Sequence, residues 1–144
     1  MIVLVQRTLE SNVKVDNKIV GQIKNGLTIF VGFKKNDTSK EIDYMVNKVL
    51  NLRIFDDENH VMNKSLLDIK GEILSISQFT LCADTSKGRR PSYCNAHSSA
   101  LDLYNEFNEK LRKFVNVETG IFKADMKVSL VNDGPVTLIL ENGE

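Results

Sequence analysis

The sequence has 144 residues, of which 42% are hydrophobic and 26% are charged, and these values are typical of a soluble globular protein. We therefore expect one domain over residues 1–144, which excludes a disordered tail, a coiled coil and a disulfide miniprotein. Nineteen basic residues balance nineteen acidic ones, so that the formal net charge is zero. This balance disfavours a strongly basic protein that binds nucleic acid without specificity.

The chain shows no sign of export or membrane insertion. No segment approaches the roughly 18 apolar residues of a spanning helix, and the first ten residues lack a basic leader. We expect a cytoplasmic protein without membrane contact, in which Cys82 and Cys94 are thiols. Cys94 and His97 have the spacing of half a metal site, but His60 is the only other histidine, so we predict no metal and no cofactor.

The first third of the chain predicts strands. Residues 2–9 (IVLVQRTL) have the composition of a largely buried strand,. Residues 13–23 (VKVDNKIVGQI) predict a hairpin that turns at Asp16-Asn17,. Gly26 then opens a third strand, which is dense in β-branched and aromatic residues.

Two helices are predicted. Thr38 and Glu41 have the spacing of a capping box at the start of the first helix,. Its apolar residues follow helical periodicity and predict a buried stripe of Ile42, Met45, Val46, Val49 and Leu50,. The second helix begins at about Ser98 or Ser99. Its predicted buried face comprises Leu101, Tyr104, Phe107, Leu111 and Phe114,.

The remaining strands are predicted at residues 71–81 (GEILSISQFTL), 125–131 and 136–140, with a turn at 132–135 between the last two,. The order of strands, helix, strands, helix and strands is typical of an α+β fold rather than of strict βαβ alternation. We expect twisted, barrel-like β-sheets flanked by two helices.

Familiar catalytic motifs are missing. The sequence has no GxSxG elbow, HExxH pair, P-loop or dinucleotide fingerprint,. Two histidines alone give poor support to a Ser-His-Asp hydrolase. Three polar segments remain as candidates for chemistry: 75–81, 87–92 and 132–137.

Each segment has an ordinary alternative. Ser77, Gln78 and Thr80 interrupt an apolar strand, but a half-exposed strand commonly has this pattern, and pattern alone favours it. The cations of the loop at 87–92 suit phosphate contacts, although a solvated basic loop is the commoner meaning. The turn containing Gly134-Pro135 reads as a hairpin, with a trans peptide bond as the default.

Together the three segments resemble the D-aminoacyl-tRNA deacylase family, also described as the D-tyrosyl-tRNA deacylases. The resemblance runs nearly end to end, and its specific feature is the pairing of SQFTL with NDGPVT about fifty residues later. Cys82 departs from the family, in which many members have an aromatic residue. The motifs are VQRT at 5–8, SQFTL at 77–81, GRRPS at 88–92, TGIF at 119–122 and ADMKVSLVNDGPVT at 124–137.

The resemblance implies hydrolysis of the ester that joins a D-amino acid to the 3′ end of tRNA. It also implies a homodimer with a pocket at the subunit interface. Gly134-Pro135 would then be cis and reach into the partner's pocket, where carbonyl oxygens receive the substrate's α-amino group. Such a filter reads the Cα configuration and not the side chain, so tRNA carrying glycine is an expected second substrate.

The resemblance also assigns roles to side chains. Ser77, Gln78, Phe79 and Thr80 would line the pocket for the terminal adenosine and the ester, with nearby backbone N–H groups stabilising the oxyanion. Thr80 could act as a covalent nucleophile, but the sequence shows no evident base to activate it. We therefore favour attack on the ester by water, assisted by the tRNA 2′-OH. Arg7 would brace the Gly-Pro turn. Phosphate contacts are expected from Lys87, Arg89 and Arg90.

Two alternatives stay open at this point. One is a non-catalytic nucleic-acid-binding or protein-binding module on the same fold, because the basic loop fits either function. The other is an editing domain that acts on L-aminoacyl esters.

Overall fold

The computed structural model describes residues 1–142, so that positions 143 and 144 of the predicted domain lie outside the described residues. A mixed sheet dominates the structure. In chain order the elements are β1 (Ile2–Val15), β2 (Lys18–Ile23), β3 (Gly26–Gly32), α1 (Ser39–Asn51), β4 (Phe55–Asp56), β5 (Met62–Lys64), α2 (Leu66–Ile69), β6 (Glu72–Ser77), a 3-10 helix (Phe79–Cys82), α3 (Ala100–Arg112), β7 (Val117–Thr119) and β8 (Lys127–Glu141).

The long strand β1 organises the sheet. Its first half pairs antiparallel with β3, its second half pairs with β2, and β8 pairs with it along most of its length. Parallel pairing then extends the sheet from β3 to β6 and from β6 to β7. Because β2 also contacts β6 and β7, the sheet curls into a nearly closed barrel, which confirms the predicted α+β barrel-like fold.

The predicted first hairpin and first helix are confirmed. Asp16 and Asn17 have left-handed φ angles of 50° and 65°, which is the geometry of a tight two-residue turn,. The N–H of Thr38 donates to Oε2 of Glu41 at 2.8 Å, and the Thr38 hydroxyl accepts from the Lys40 N–H at 3.3 Å. All five residues of the predicted stripe on α1 are buried in the main hydrophobic core.

The last third of the chain differs from the prediction. Residues 127–141 form one strand instead of a hairpin, since Asn132 pairs with Thr8 and Thr137 pairs with Gln6 of the same strand, β1. Only one residue of β1, Arg7, faces the four residues 133–136 of β8. Turn-forming residues can either reverse a chain or absorb extra residues as a bulge, and here they form a bulge.

The helices also require corrections. A one-turn helix, α2, was not predicted, so three α-helices within the described residues flank the sheet rather than two. The predicted start of α3 is confirmed, because Ser99 is its N-cap. On its predicted buried face, however, Leu101 is 43% exposed and Phe114 is 60% exposed. Leu101 lies in the first turn of α3, and Phe114 lies beyond its last residue, Arg112.

The capping box of α1 gives a test of the fold. Hydrogen bonds from the backbone and hydroxyl of Thr38 lower the pKa of Glu41 below its ordinary 4.5. The ionised Glu41 carboxylate therefore stabilises the folded state above pH 4.5, and this stabilisation is lost as the pH falls through the lowered pKa. We expect Thr38→Ala to cost about 1 kcal/mol of unfolding free energy at pH 7 and less at pH 3, measured by urea denaturation.

The matched control is Thr85→Ala, which removes the same hydroxyl from an exposed loop position and should change the unfolding free energy by less than about 0.5 kcal/mol. A loss for Thr38→Ala that is equal at pH 7 and pH 3 would contradict the assigned role of the Glu41 carboxylate.

Candidate functional site

The end of β6 opens onto a cleft of about 530 Å³. Three of the predicted site residues, Ser77, Gln78 and Phe79, line it directly. The opposite wall comes from the segment that leads into β8. The remaining lining residues are Ile76, Lys123, Ala124, Met126 and Val128.

The polar segment leaves the sheet at Ser77, which corrects the predicted strand over residues 71–81. The Gln78 N–H still donates to the Val31 carbonyl at 2.8 Å, and the chain then winds into the 3-10 helix. This helix lies against Gly32, where an added Cβ would stand 3.1 Å from both the Gln78 oxygen and the Leu81 Cβ. The absence of a side chain at Gly32 therefore permits the close approach.

Cys82 fixes the far end of the same helix. Its thiol is buried and donates to the Phe33 carbonyl, with 3.4 Å between sulfur and oxygen. Burial raises the pKa of the Cys82 thiol, which therefore stays protonated at neutral pH,. The buried Cys82 side chain thus packs close to Gly32, where an added Cβ would lie 3.2 Å from its sulfur.

Two backbone donors are left unused at Phe79, which lines the cleft, and at the next residue, Thr80. The N–H groups of Leu81 and Ala83 bond to the carbonyls of Gln78 and Thr80, but those of Phe79 and Thr80 meet no acceptor within residues 1–142. Phe79 and Thr80 are both exposed. The Gln78 amide donates to the Thr80 hydroxyl. Two successive free N–H groups beside a cleft are suited to hold an oxygen that carries negative charge.

The basic loop is tied to this segment by an aromatic contact. The rings of Tyr93 and Phe79 meet edge to face, with 5.0 Å between their centroids. Lys87, Arg89 and Arg90 are exposed on this loop and form no ion pair within the described chain. Tyr93 was not predicted as a site residue, although an aromatic residue in a polar loop was a usable signal.

The Gly-Pro segment forms the bulge in β8. The peptide bond between Gly134 and Pro135 is cis, and both residues are exposed. Neither lines the cleft beside Ser77 and Phe79. Within a single chain, the predicted site residues 77–80 therefore lie together, whereas Gly134 and Pro135 lie elsewhere on the surface.

Arg7 contacts this bulge from inside the protein. Its side chain is 8% exposed, and its guanidinium donates to the carbonyl oxygens of Asp133 at 3.2 Å and Ile54 at 2.9 Å. It also forms ion pairs at 3.3 Å with the carboxylates of Asp133 and Asp56. These partners compensate for burial of the charge and fix the start of the bulge.

Asn132 lies in the predicted segment 132–137, where it was given no role, and it closes the base of the same bulge. Its amide donates to the Thr137 hydroxyl at 2.9 Å, and its carbonyl oxygen accepts from the Val136 N–H at 3.3 Å. An asparagine before a turn commonly bonds to backbone groups a few residues on, and this preference was the available signal.

The described chain has neither a cluster of metal-ligating side chains nor a membrane-spanning helix. Within residues 1–142 no three side chains of His, Cys, Asp or Glu are grouped as metal ligands. His97 instead accepts a hydrogen bond from the Ser99 N–H at 2.9 Å. No helix in this part of the chain has the length and apolar composition to cross a membrane.

Comparison with known proteins defines the class. Residues 4–141 match the family model described as D-Tyr-tRNA(Tyr) deacylase. The D-aminoacyl-tRNA deacylase of Thermosipho melanesiensis is 57% identical over 143 residues, which cover 96% of this chain and 95% of that protein. The fold, the cleft and these matches agree with the resemblance seen in the motifs. The chain belongs to the D-Tyr-tRNA(Tyr) deacylase family.

Two solved structures share the fold. One, named c-Myc DNA Unwinding Element Binding Protein, is 39% identical, with a TM-score of 0.95 over the whole of both chains. The other, described as a probable eukaryotic D-amino acid tRNA deacylase, has a TM-score of 0.83 over 96% of this chain and 97% of that one. At 18% identity, the second likeness concerns the fold alone.

The contacts of Arg7 give a test of how the bulge is held. Arg7→Lys cannot reproduce the forked donor geometry, and it leaves buried acceptors unpaired. We expect it to lower the unfolding free energy by about 1–3 kcal/mol, measured by urea denaturation.

Arg53→Lys is the matched control, since Arg53 is exposed and also donates to a backbone carbonyl, that of Asn63. It should cost less than about 0.5 kcal/mol. If both variants lowered the unfolding free energy equally, the buried contacts of Arg7 would stabilise the protein no more than the exposed contact of Arg53.

Proposed function

We propose that this protein hydrolyses the ester bond of D-aminoacyl-tRNA in the cytoplasm and releases free tRNA and the D-amino acid. Its family makes it an enzyme of the D-aminoacyl-tRNA deacylase class, which are carboxylic ester hydrolases. The observation that carries the proposal is the pair of unused N–H groups at Phe79, which lines the cleft, and at the adjacent exposed residue Thr80.

The proposed chemistry needs few side chains. Water adds to the ester carbonyl, and the N–H groups of Phe79 and Thr80 stabilise the oxyanion. The bond to the ribose oxygen then breaks, and the proton from water passes to that oxygen with help from the neighbouring 2′-OH of the tRNA. Because an aminoacyl ester is already activated, positioning and oxyanion stabilisation supply the main catalytic terms.

Thr80 is proposed as part of the pocket wall and not as the nucleophile. A threonine nucleophile needs a base within hydrogen-bond reach of its hydroxyl. In the described chain the Thr80 hydroxyl accepts a hydrogen bond from the Gln78 amide, which cannot serve as a base,. Ser77, Gln78 and Thr80 are therefore assigned to binding the terminal adenosine and orienting the ester.

The pocket is proposed to be completed by a second copy of the chain. Gly134 and Pro135 are exposed on their own chain, away from the cleft. Within residues 1–142, β8 pairs only with β1, and it exposes Val131 and Ile139. A strand with a free edge and exposed apolar side chains is a surface for pairing with another chain, so we propose a homodimer in which this bulge enters the partner's cleft.

The bulge would act there as a chiral filter. Main-chain carbonyl oxygens around Gly134 are proposed to accept hydrogen bonds from the substrate's α-ammonium group, which leaves no room for the side chain of an L-amino acid. Glycine has no side chain to exclude, so glycyl-tRNA is a proposed second substrate. The exposed Lys87, Arg89 and Arg90 are proposed to contact tRNA phosphates,.

A second candidate function is a non-catalytic nucleic-acid-binding module. The relative named for binding a DNA unwinding element, with its TM-score of 0.95, supports keeping this candidate. The unused backbone donors favour the enzyme, because binding of phosphates by the exposed loop does not require them.

A time course of hydrolysis on a matched pair of D- and L-aminoacyl-tRNAs tests the proposal. We expect hydrolysis of the D form to be faster by about a hundredfold or more, which corresponds to at least ~2.7 kcal/mol of discrimination. Glycyl-tRNA, as a third substrate, should be hydrolysed at a rate nearer to that of the D form.

Each other outcome has a distinct meaning. Equal rates for the D and L forms would contradict the chiral filter and favour an editing domain for L-aminoacyl esters. Binding of tRNA without hydrolysis of any form would favour the non-catalytic module. A covalent acyl adduct on Thr80, detected by mass spectrometry of quenched reactions, would contradict direct attack by water.

A further inference from the structure

We propose that Lys123 binds the 5′-phosphate of the substrate's terminal nucleotide. The proposal rests on the proposed function, which places the terminal ribose and its ester in the cleft beside Ser77 and Phe79. The ligand group is the phosphate of an adenosine 5′-monophosphate unit, either free or as the last phosphodiester of the tRNA.

The position of Lys123 motivates the proposal. Of the eight residues that line the cleft, it is the only one that is charged at neutral pH,. The 5′-phosphate and the aminoacyl ester are attached to the same ribose, so a ribose held beside Ser77 and Phe79 places this phosphate at the border of the same cleft. The long, flexible side chain of a lysine that lines the cleft is suited to receive it.

The charge of Lys123 is left available. The nearest acidic residue along the chain, Asp125, is paired with Lys127, whose ammonium lies 2.9 Å from a carboxylate oxygen. Lys123 forms no ion pair within residues 1–142. Its ammonium lies 6.0 Å from the centre of the Phe122 ring, a contact that leaves the charge without a counter-ion. An anionic ligand would supply one.

The backbone conformation of Lys123 also supports the proposal. Its φ angle is +64°, in the left-handed region that glycine tolerates and lysine does not favour,. The turn is closed by the Ala124 N–H, which donates to the Ile121 carbonyl at 3.1 Å. Strained backbone conformations of this kind are found at ligand sites as well as in turns.

The experiment compares three substrates that carry the same D-amino acid: the 3′ ester of adenosine, the 3′ ester of adenosine 5′-monophosphate, and the aminoacyl-tRNA. For the wild-type enzyme we expect the 5′-phosphate to raise kcat/KM by about three- to tenfold, mainly through KM. In Lys123→Gln the gain should fall below about twofold. Lys123→Arg, which keeps the charge, should retain most of it.

The matched control is the double variant Asp125→Asn with Lys127→Gln, which removes the neighbouring ion pair as a whole and leaves no unpaired carboxylate beside Lys123, and it should keep the full gain. Lys123→Gly relieves the unfavourable backbone conformation and should have a melting temperature no lower than that of the wild type, while losing the gain from the phosphate. This variant separates loss of a contact from loss of folding.

An equal gain from the phosphate in wild type and Lys123→Gln would overturn the inference, and so would the absence of any gain in the wild type. Turnover of D-aminoacyl-tRNA is measured in parallel. A wild-type enzyme that leaves D-aminoacyl-tRNA intact would overturn the proposed function itself, whereas turnover that is insensitive to Lys123 would overturn this inference alone.

Discussion

The hydrogen bond from the Gln78 N–H to the Val31 carbonyl is the point on which the candidate site depends. It is the last bond between β3 and β6 before the chain leaves the sheet. Beyond it the 3-10 helix lies against Gly32 and leaves the N–H groups of Phe79 and Thr80 without partners. A strand that continued to residue 81 would direct successive backbone N–H groups to opposite sides, so the change of conformation is what places two donors together.

A second constraint is the buried guanidinium of Arg7. It binds both the carbonyl and the carboxylate of Asp133 and so fixes the bulge of β8 from its buried side. The bulge is therefore held firmly while Gly134 and Pro135 remain exposed. A main-chain filter that enters another subunit must be both rigid and exposed. The bulge of β8 meets both requirements, which supports the proposed dimer.

Local sequence patterns predicted the elements that depend on near neighbours. The capping box of α1 and its stripe from Ile42 to Leu50 are set by spacings of three and four residues, and the hairpin at Asp16-Asn17 is set by its own turn. The path of β8 could not be predicted in this way. Turn residues at 132–135 serve either a hairpin or a bulge, and the choice depends on pairing with β1, which is remote in sequence.

The candidate site shows the same division. Ser77 to Thr80 and Gly134-Pro135 were identified from the motifs that carry the family resemblance. Tyr93 and Lys123 were not, because their relation to the cleft comes from contacts between distant segments. The free N–H groups depend on Gly32, about fifty residues earlier, so that no pattern within SQFTL could reveal which donors remain unused.

The central claim is that each working site combines the cleft of one chain with the bulge of another. Gly134→Ala damages the bulge, since φ is +118° and the new Cβ would lie 2.8 Å from a guanidinium nitrogen of Arg7. Phe79→Pro damages the cleft by removing one free N–H. Gln78 has φ −142° and ψ 78°, which lies outside the helical region that a following proline disfavours.

The decisive measurement is the D-aminoacyl-tRNA deacylase activity of mixed dimers that contain one Gly134→Ala chain and one Phe79→Pro chain. The two chains carry different affinity tags, so that the mixed dimers can be purified. Each variant alone should be nearly inactive. The mixed dimer should regain one intact site and about half of the wild-type activity. No recovery of activity in mixed dimers of verified composition would contradict the account.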